Sequence, residues 1–209
     1  MSPRPADPSV RTALIDAAAR VIADDGQHSL TLRRLADEVG TSTMSVYTHF
    51  GGMDAVRREV RREGFGRLAT HLQEVSRGRD PVKDLVLLGW AYYRSAMTSP
   101  NLYRVMFMEQ PLDEADAAAG GATFDVLVAG VDRCVAAGRF GSAEPAATAA
   151  TQLWAVTHGL VTLRLVGCLA PDQTLDCLVR TSHNLFLAYG DEPGAAGRSV
   201  AAARRRISL

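Results

Sequence analysis

Glycine breaks at Gly26, Gly40 and Gly51-Gly52 divide the first part of the chain so finely that only short helices fit between them. Each short piece opens on a hydroxyl residue, Thr31 or Ser42. Such residues suit an N-cap, because the side-chain oxygen accepts from an orphan amide of the first turn. Gly40 suits the left-handed turn that ends a helix. Ala36, four residues earlier, is small enough to let two helices approach closely, and Leu35, Val39 and Val46 supply their shared inner face. The pattern predicts a helix, a tight turn and a second helix. A longer helix precedes them, with Asp7-Pro8 as its N-cap and N1 pair and Leu14, Ala17, Ala18, Val21 and Ile22 at helical spacing.

The rest of the chain continues in the same way. Strand-like alternation is absent, so the expected class is all-α. A fourth helix is expected from about Met53 to Val75, a fifth from Asp80-Pro81 to about Thr98 and a sixth from Ser99-Pro100 to about Glu109. A seventh runs to about Ala137 with Gly120-Gly121 as a kink or interruption, an eighth covers about Ala143 to Cys168, and a ninth runs from Pro171 to about Tyr189. This gives about nine helices in two domains: residues 1–55 as a three-helix helix-turn-helix unit, and 56–189 as a helical bundle. The Gly/Ala/Arg-rich tail, 190–209, is expected to be disordered.

Composition excludes several classes. Lys and Arg number 23, as do Asp and Glu, so any nucleic-acid site must be a local patch. The N-terminal MSPRPADPS lacks the apolar run of a secretory signal. The apolar stretch Leu153–Ala170 carries Thr157, His158 and Arg164 and reads as a buried helix, with no membrane span. Cys134, Cys168 and Cys177 have neither disulfide nor zinc spacing and fit reduced core residues of a cytoplasmic protein. No metal site and no cofactor is expected. HExxH, GxSxG and phosphate-loop motifs are missing, which argues against an enzyme.

The third helix, within GTSTMSVYTHF, presents Tyr and Met to water on a short polar segment, which contributes little to a fold. In a helix-turn-helix pair the second helix lies in the major groove with its first residues at base edges. Thr41, Ser42, Thr43 and Ser45 are short donors and acceptors suited to that position, Met44 can pack on a thymine methyl, and Tyr47 and His49 can reach phosphates. The block TLRRLADEVGTSTMSVYTHFGGMDAV resembles the N-terminal region of TetR-type (tetracycline-repressor family) transcriptional regulators over about residues 9–60. The shared features are Thr31 opening the second helix, Gly40, and the ending Tyr47-Thr48-His49-Phe50.

The resemblance implies that Thr31 holds a phosphate and that Arg33 or Arg34 reaches the backbone or minor groove. It also implies that Thr41, Ser42, Thr43, Met44 and Ser45 face bases, and that Tyr47, Thr48 and His49 hold the backbone. Phe50 would be core. One position departs from the pattern: Met53 stands where the family usually places a phosphate-binding lysine. Arg57, Arg58, Arg61 and Arg62 form a basic stripe. Asp54, Glu59 and Glu63 lie at pairing distance along the helix, so a solvated, self-paired face is expected.

Aromatic and Met side chains crowd the later helices. Trp90, Tyr93, Met97, Tyr103, Phe107, Met108, Phe124, Trp154 and His158 are the candidates for lining an apolar effector pocket. For most single members core packing is the simpler explanation. Trp154, His158 and Gly159 resemble a TetR C-terminal subfamily marked by Trp-x-x-x-His-Gly. The family resemblance implies a small-molecule effector, a homodimer through the last two helices, and a palindromic double-stranded operator. Leu178, Leu185 and Phe186, with no later helix to cover them, point to the same dimer face. A repressor released by an apolar or amphipathic effector is the leading reading. A helical ligand-binding or scaffolding protein without DNA reading is the alternative.

Overall fold

The computed structural model describes residues 8–141 and 145–207. The cap expected at Asp7 and the helix start expected near Ala143 lie outside the described residues. Among the described residues there is no strand. The helices are α1 (Pro8–Asp25), α2 (Leu32–Val39), α3 (Thr43–Phe50), α4 (Met53–Gln73), α5 (Pro81–Thr98), α6 (Pro100–Met108) and α7 (Glu114–Ala117). They continue as α8 (Gly121–Ala136), α9 (Ala146–Leu165), α10 (Pro171–Ala188) and α11 (Pro193–Ile207).

The chain divides into two compact units, and the boundary differs from the one expected at residue 55. The first unit runs to Arg67 and also takes Ser99–Gly120; the second holds Leu68–Thr98 and the chain from Gly121 onward. The first half of α4 and all of α6 therefore go with the helix-turn-helix. The physical reason is a shared core: Leu102 and Val105 of α6 are buried in one cluster with Leu14, Ile22, Leu35, Val46, Val56 and Val60. Gly64 permits a close approach of α6 to α4, since a Cβ there would sit 2.5 Å from the Met106 sulfur.

The seventh expected helix is broken at the suspected glycines. α7 is a single turn followed by a 3-10 turn over Ala118–Gly120. A side chain at Gly120 would meet the Phe65 ring at 2.7 Å.

In the second unit α5 is central and packs against α8, α9, α10 and α11. The largest departure from the sequence reading is α11. The segment expected to be disordered is a helix of 15 residues that buries Ala196, Ser199, Val200 and Ala203. Its start is fixed by the Glu192 carboxylate, which accepts from the amides of Gly194 (2.8 Å) and Ala195 (2.6 Å). Asp191, just before it, is buried and takes a two-pronged bond from Arg139. Poor composition is offset by small residues at helical spacing and by these two carboxylates.

The three cysteines are free, but only Cys134 is buried; Cys168 is exposed and Cys177 half-buried, so the expectation of three core residues fails. Burial pushes the Cys134 thiol up to about 12, which keeps it protonated and unreactive.

Candidate functional site

The helix-turn-helix is built from local bonds. Thr31 Oγ1 accepts from the Arg34 amide at 3.2 Å, and Ser42 Oγ accepts from the Ser45 amide at 3.1 Å. Each cap satisfies one orphan donor and still leaves its hydroxyl hydrogen for another acceptor. Gly40 is left-handed, with φ 68° and ψ 36°, and ends α2 where the turn requires it. Val46 is fully buried, and Phe50 is half-buried against the same core. The Arg11 guanidinium lies over the Phe50 ring at 5.5 Å and also bonds Glu59, so α1 and α4 together hold the end of α3.

With Val46 turned inward, α3 presents Thr43, Met44, Tyr47 and Thr48 to solvent. Met44 is 72% exposed and Tyr47 56%. Ser42 is exposed, Thr41, Ser45 and His49 are half-buried, and the Thr48 hydroxyl donates to the Met44 carbonyl at 2.9 Å. On α2, Arg33 is exposed, while Arg34 is tied to Asp25 at 2.5 Å.

The arginine stripe on α4 is paired, though not wholly along its own helix. Arg57 bonds Asp54 (2.9 Å) and Arg62 bonds Glu59 (2.9 Å), as expected. Arg58 instead reaches Asp113 at 2.6 Å. Buried Arg61 donates to the carbonyls of Val105 and Glu109, both at 3.2 Å, which caps the C-terminus of α6. Glu63 pairs with Arg67 at 2.9 Å. Reading the sequence missed Arg61 as a clamp, because nothing local marks a partner 44 residues away.

Met53 is half-buried and packs against the first unit's core. Met53→Lys is expected to cost about 1 kcal/mol by losing that packing. If the start of α4 approaches a DNA backbone, the same change should steepen the slope of log K against log salt by about 0.9 per added contact. Binding isotherms at several salt concentrations, with a denaturation curve for each protein, check both parts.

The residues expected to line an effector pocket fall in both units. Tyr103, Phe107 and Met108 belong to the first, where Phe107 meets Phe65 edge-on at 5.6 Å and Tyr103 at 5.0 Å. Tyr103 is buried and Met108 exposed. Trp90, Tyr93, Met97, Phe124, Trp154 and His158 belong to the second. There Trp90 stacks on Tyr93 at 4.9 Å, and Trp154 meets Phe124 at 6.2 Å and His158 at 5.8 Å. The polar centre of this group includes a residue the candidate set left out. The Tyr92 hydroxyl lies 3.0 Å from His158 Nδ1 and accepts from Trp154 Nε1 at 3.3 Å.

Burial holds the His158 pKa below its ordinary 6.5, because the charged imidazole is penalised. An unfolded chain therefore takes up this proton first as pH falls. The contribution is constant above the ordinary value and stability declines below it. Unfolding at pH 7.5 and 5.5 is expected to show this decline in the wild type and a smaller one in His158→Gln.

Among the described residues no group of three or more His, Cys, Asp and Glu side chains could hold a metal, and no helix is long and apolar enough to cross a membrane.

A capped two-helix unit with an exposed second helix, joined to a helical bundle, defines a helix-turn-helix class of DNA-binding transcription regulator. Residues 14–60 match the tetR family of bacterial regulatory proteins, and residues 85–182 match the tetracyclin repressor-like C-terminal domain. An uncharacterized HTH-type transcriptional regulator of Mycobacterium tuberculosis is 30% identical over 90% of this chain and 84% of its own. The chain belongs to the TetR family. Its fold is similar to that of a protein of unknown function from Rhodococcus (TM-score 0.75, 25% identity, 91% of this chain and 100% of that one). It is also similar to the TetR family transcriptional regulator PfmR from Thermus thermophilus (TM-score 0.68, 19% identity, 86% and 99%).

Proposed function

We propose that this DNA-binding regulator acts in the cytoplasm as a homodimeric repressor, not an enzyme, and releases a palindromic operator when a small apolar or amphipathic effector binds. The observation that carries the DNA-reading part is the exposed face of α3, where Met44 and Tyr47 stand out from a helix whose other side is locked into the core. Thr31, Arg33, Ser42, Thr43 and Tyr47 are exposed, and in this reading they would meet phosphates and base edges. The effector reading is supported by the aromatic packing of the second unit, where Trp154 meets Phe124 and His158 and the Tyr92 hydroxyl bonds both Trp154 and His158, a set of rings with a polar handle of the kind that can orient a small molecule. Membership of the Trp-x-x-x-His-Gly subfamily is a narrower proposal than the family match itself.

The dimer needs a revised basis. Leu178 and Phe186 are buried within one chain: α11 covers α10, and Phe186 packs on Phe140 at 5.6 Å. The surface that supports pairing is on α9 and its C-cap, where Leu163 is 44% and the capping Val166 62% exposed and a Cβ at Gly159 would meet nothing within 4 Å. Two-fold pairing there through α9 and α10 would form a four-helix contact.

A gel-shift against the DNA upstream of the protein's own gene, with light scattering of the free protein, tests the proposal. A salt-sensitive, sequence-selective shift by a dimer is expected. A monomer at micromolar concentration would remove the dimer, and equal binding to scrambled DNA would remove the operator.

A further inference from the structure

In the major groove, Arg and Lys pair with guanine and Asn and Gln with adenine, each by two bonds. Carboxylates accept from cytosine, hydroxyls serve several edges, and apolar groups contact the thymine methyl. From Thr41 to Phe50 the chain carries no Arg, Lys, Asn, Gln, Asp or Glu. The two-bond readers are therefore absent from α3 and the turn before it. Its hydroxyls discriminate weakly: Ser42 Oγ accepts from the Ser45 amide and keeps only its hydrogen to donate, and Thr48 spends its hydrogen on the Met44 carbonyl. His49 is half-buried beside Phe50, with ring centroids 6.1 Å apart.

The group left with discriminating power is the Met44 thioether. It lies in the first turn of α3, between Thr43 and Tyr47 on the exposed face. At 72% exposure it is the most exposed of the large apolar side chains among the described residues. A bare methionine there adds nothing to the core, and its flexible, polarizable chain suits an apolar contact of irregular shape.

We infer that Met44 is the specificity-determining residue of this interface and that it reads the C5-methyl group of a thymine in the major groove. The inference rests on the DNA-reading role proposed for α3. It implies an operator with a required thymine in each half-site and no position at which α3 demands guanine.

The test uses the full chain and a preferred site selected from a random duplex library. Each thymine of that site is replaced in turn by deoxyuridine, which keeps the pairing edge and removes only the methyl. In the wild type one thymine per half-site should respond, its replacement weakening binding about fourfold, the worth of one buried methyl group. Met44→Ala should bind the thymine and uracil duplexes equally, and Met44→Leu should keep the preference. If a site is selected but no uracil substitution matters, or the loss persists in Met44→Ala, the inference is overturned and the DNA-reading role stands. If no sequence is enriched and no duplex is bound, both fall.

Discussion

Asp191→Ala is expected to destabilise the protein by about 3 kcal/mol, within the range for removing one partner of a buried ion pair. The Asp191 side chain is 1% exposed and Arg139 is 21% exposed. Arg139 donates through Nε at 2.6 Å and through Nη2 at 2.7 Å, a two-bond geometry that also raises the pKa of its guanidinium. The same Nη2 bonds Ser199 of α11 at 3.1 Å, so loss of the carboxylate loosens the helix start and leaves a partly desolvated cation. Asp80, 3.3 Å from Nη1, offsets part of that cost. Asp191→Asn keeps an acceptor and should lose clearly less. Urea unfolding followed by circular dichroism measures both. An unchanged midpoint for Asp191→Ala would mean that small-residue packing alone holds α11.

The second large effect is expected in the first unit. Leu35 is fully buried in the core that also holds Val46 and α6's Leu102 and Val105. Leu35→Ala is expected to cost about 3 kcal/mol through lost burial and a residual cavity. DNA affinity should fall as temperature rises, because α3 has no support of its own once that core loosens. At low temperature, where the unit is still folded, affinity should return close to that of the wild type. Affinity measured at two temperatures beside a melting curve separates this loss from the removal of a contact; a loss that does not track unfolding would point to a direct role for Leu35.

The helix-turn-helix was legible because its determinants are local. Thr31, Gly40, Ser42 and Gly51 act on their own turns, and the inward residues Leu35 and Val46 repeat at helical spacing. Two features were not legible because they depend on distant partners. The affiliation of α6 with the first unit comes from Leu102 and Val105 meeting residues far earlier in the chain, and from Arg61 gripping carbonyls 44 and 48 positions away. α11 was hidden by composition: glycine, alanine and arginine read as a tail, and the anchoring Arg139 lies 52 residues before Asp191. The same blindness removed the argument for a free face on α10. Phe186 looks unpartnered only until α11 is drawn as a helix. For the candidate effector group, sequence spacing located Trp154 and His158 but left out Tyr92, whose hydroxyl joins them.

The central claim is that the exposed face of α3 reads DNA. It is tested most directly by the affinity of a Met44→Ala/Tyr47→Ala double variant for a selected duplex, measured beside its thermal unfolding. Both side chains are largely exposed, so the unfolding midpoint should stay within about 2 °C of the wild type. Affinity should fall by about thirtyfold for each half-site, as expected for the loss of two contacts each worth about 1 kcal/mol. Undiminished affinity with an unchanged midpoint would contradict the account and place the DNA contact elsewhere on the molecule.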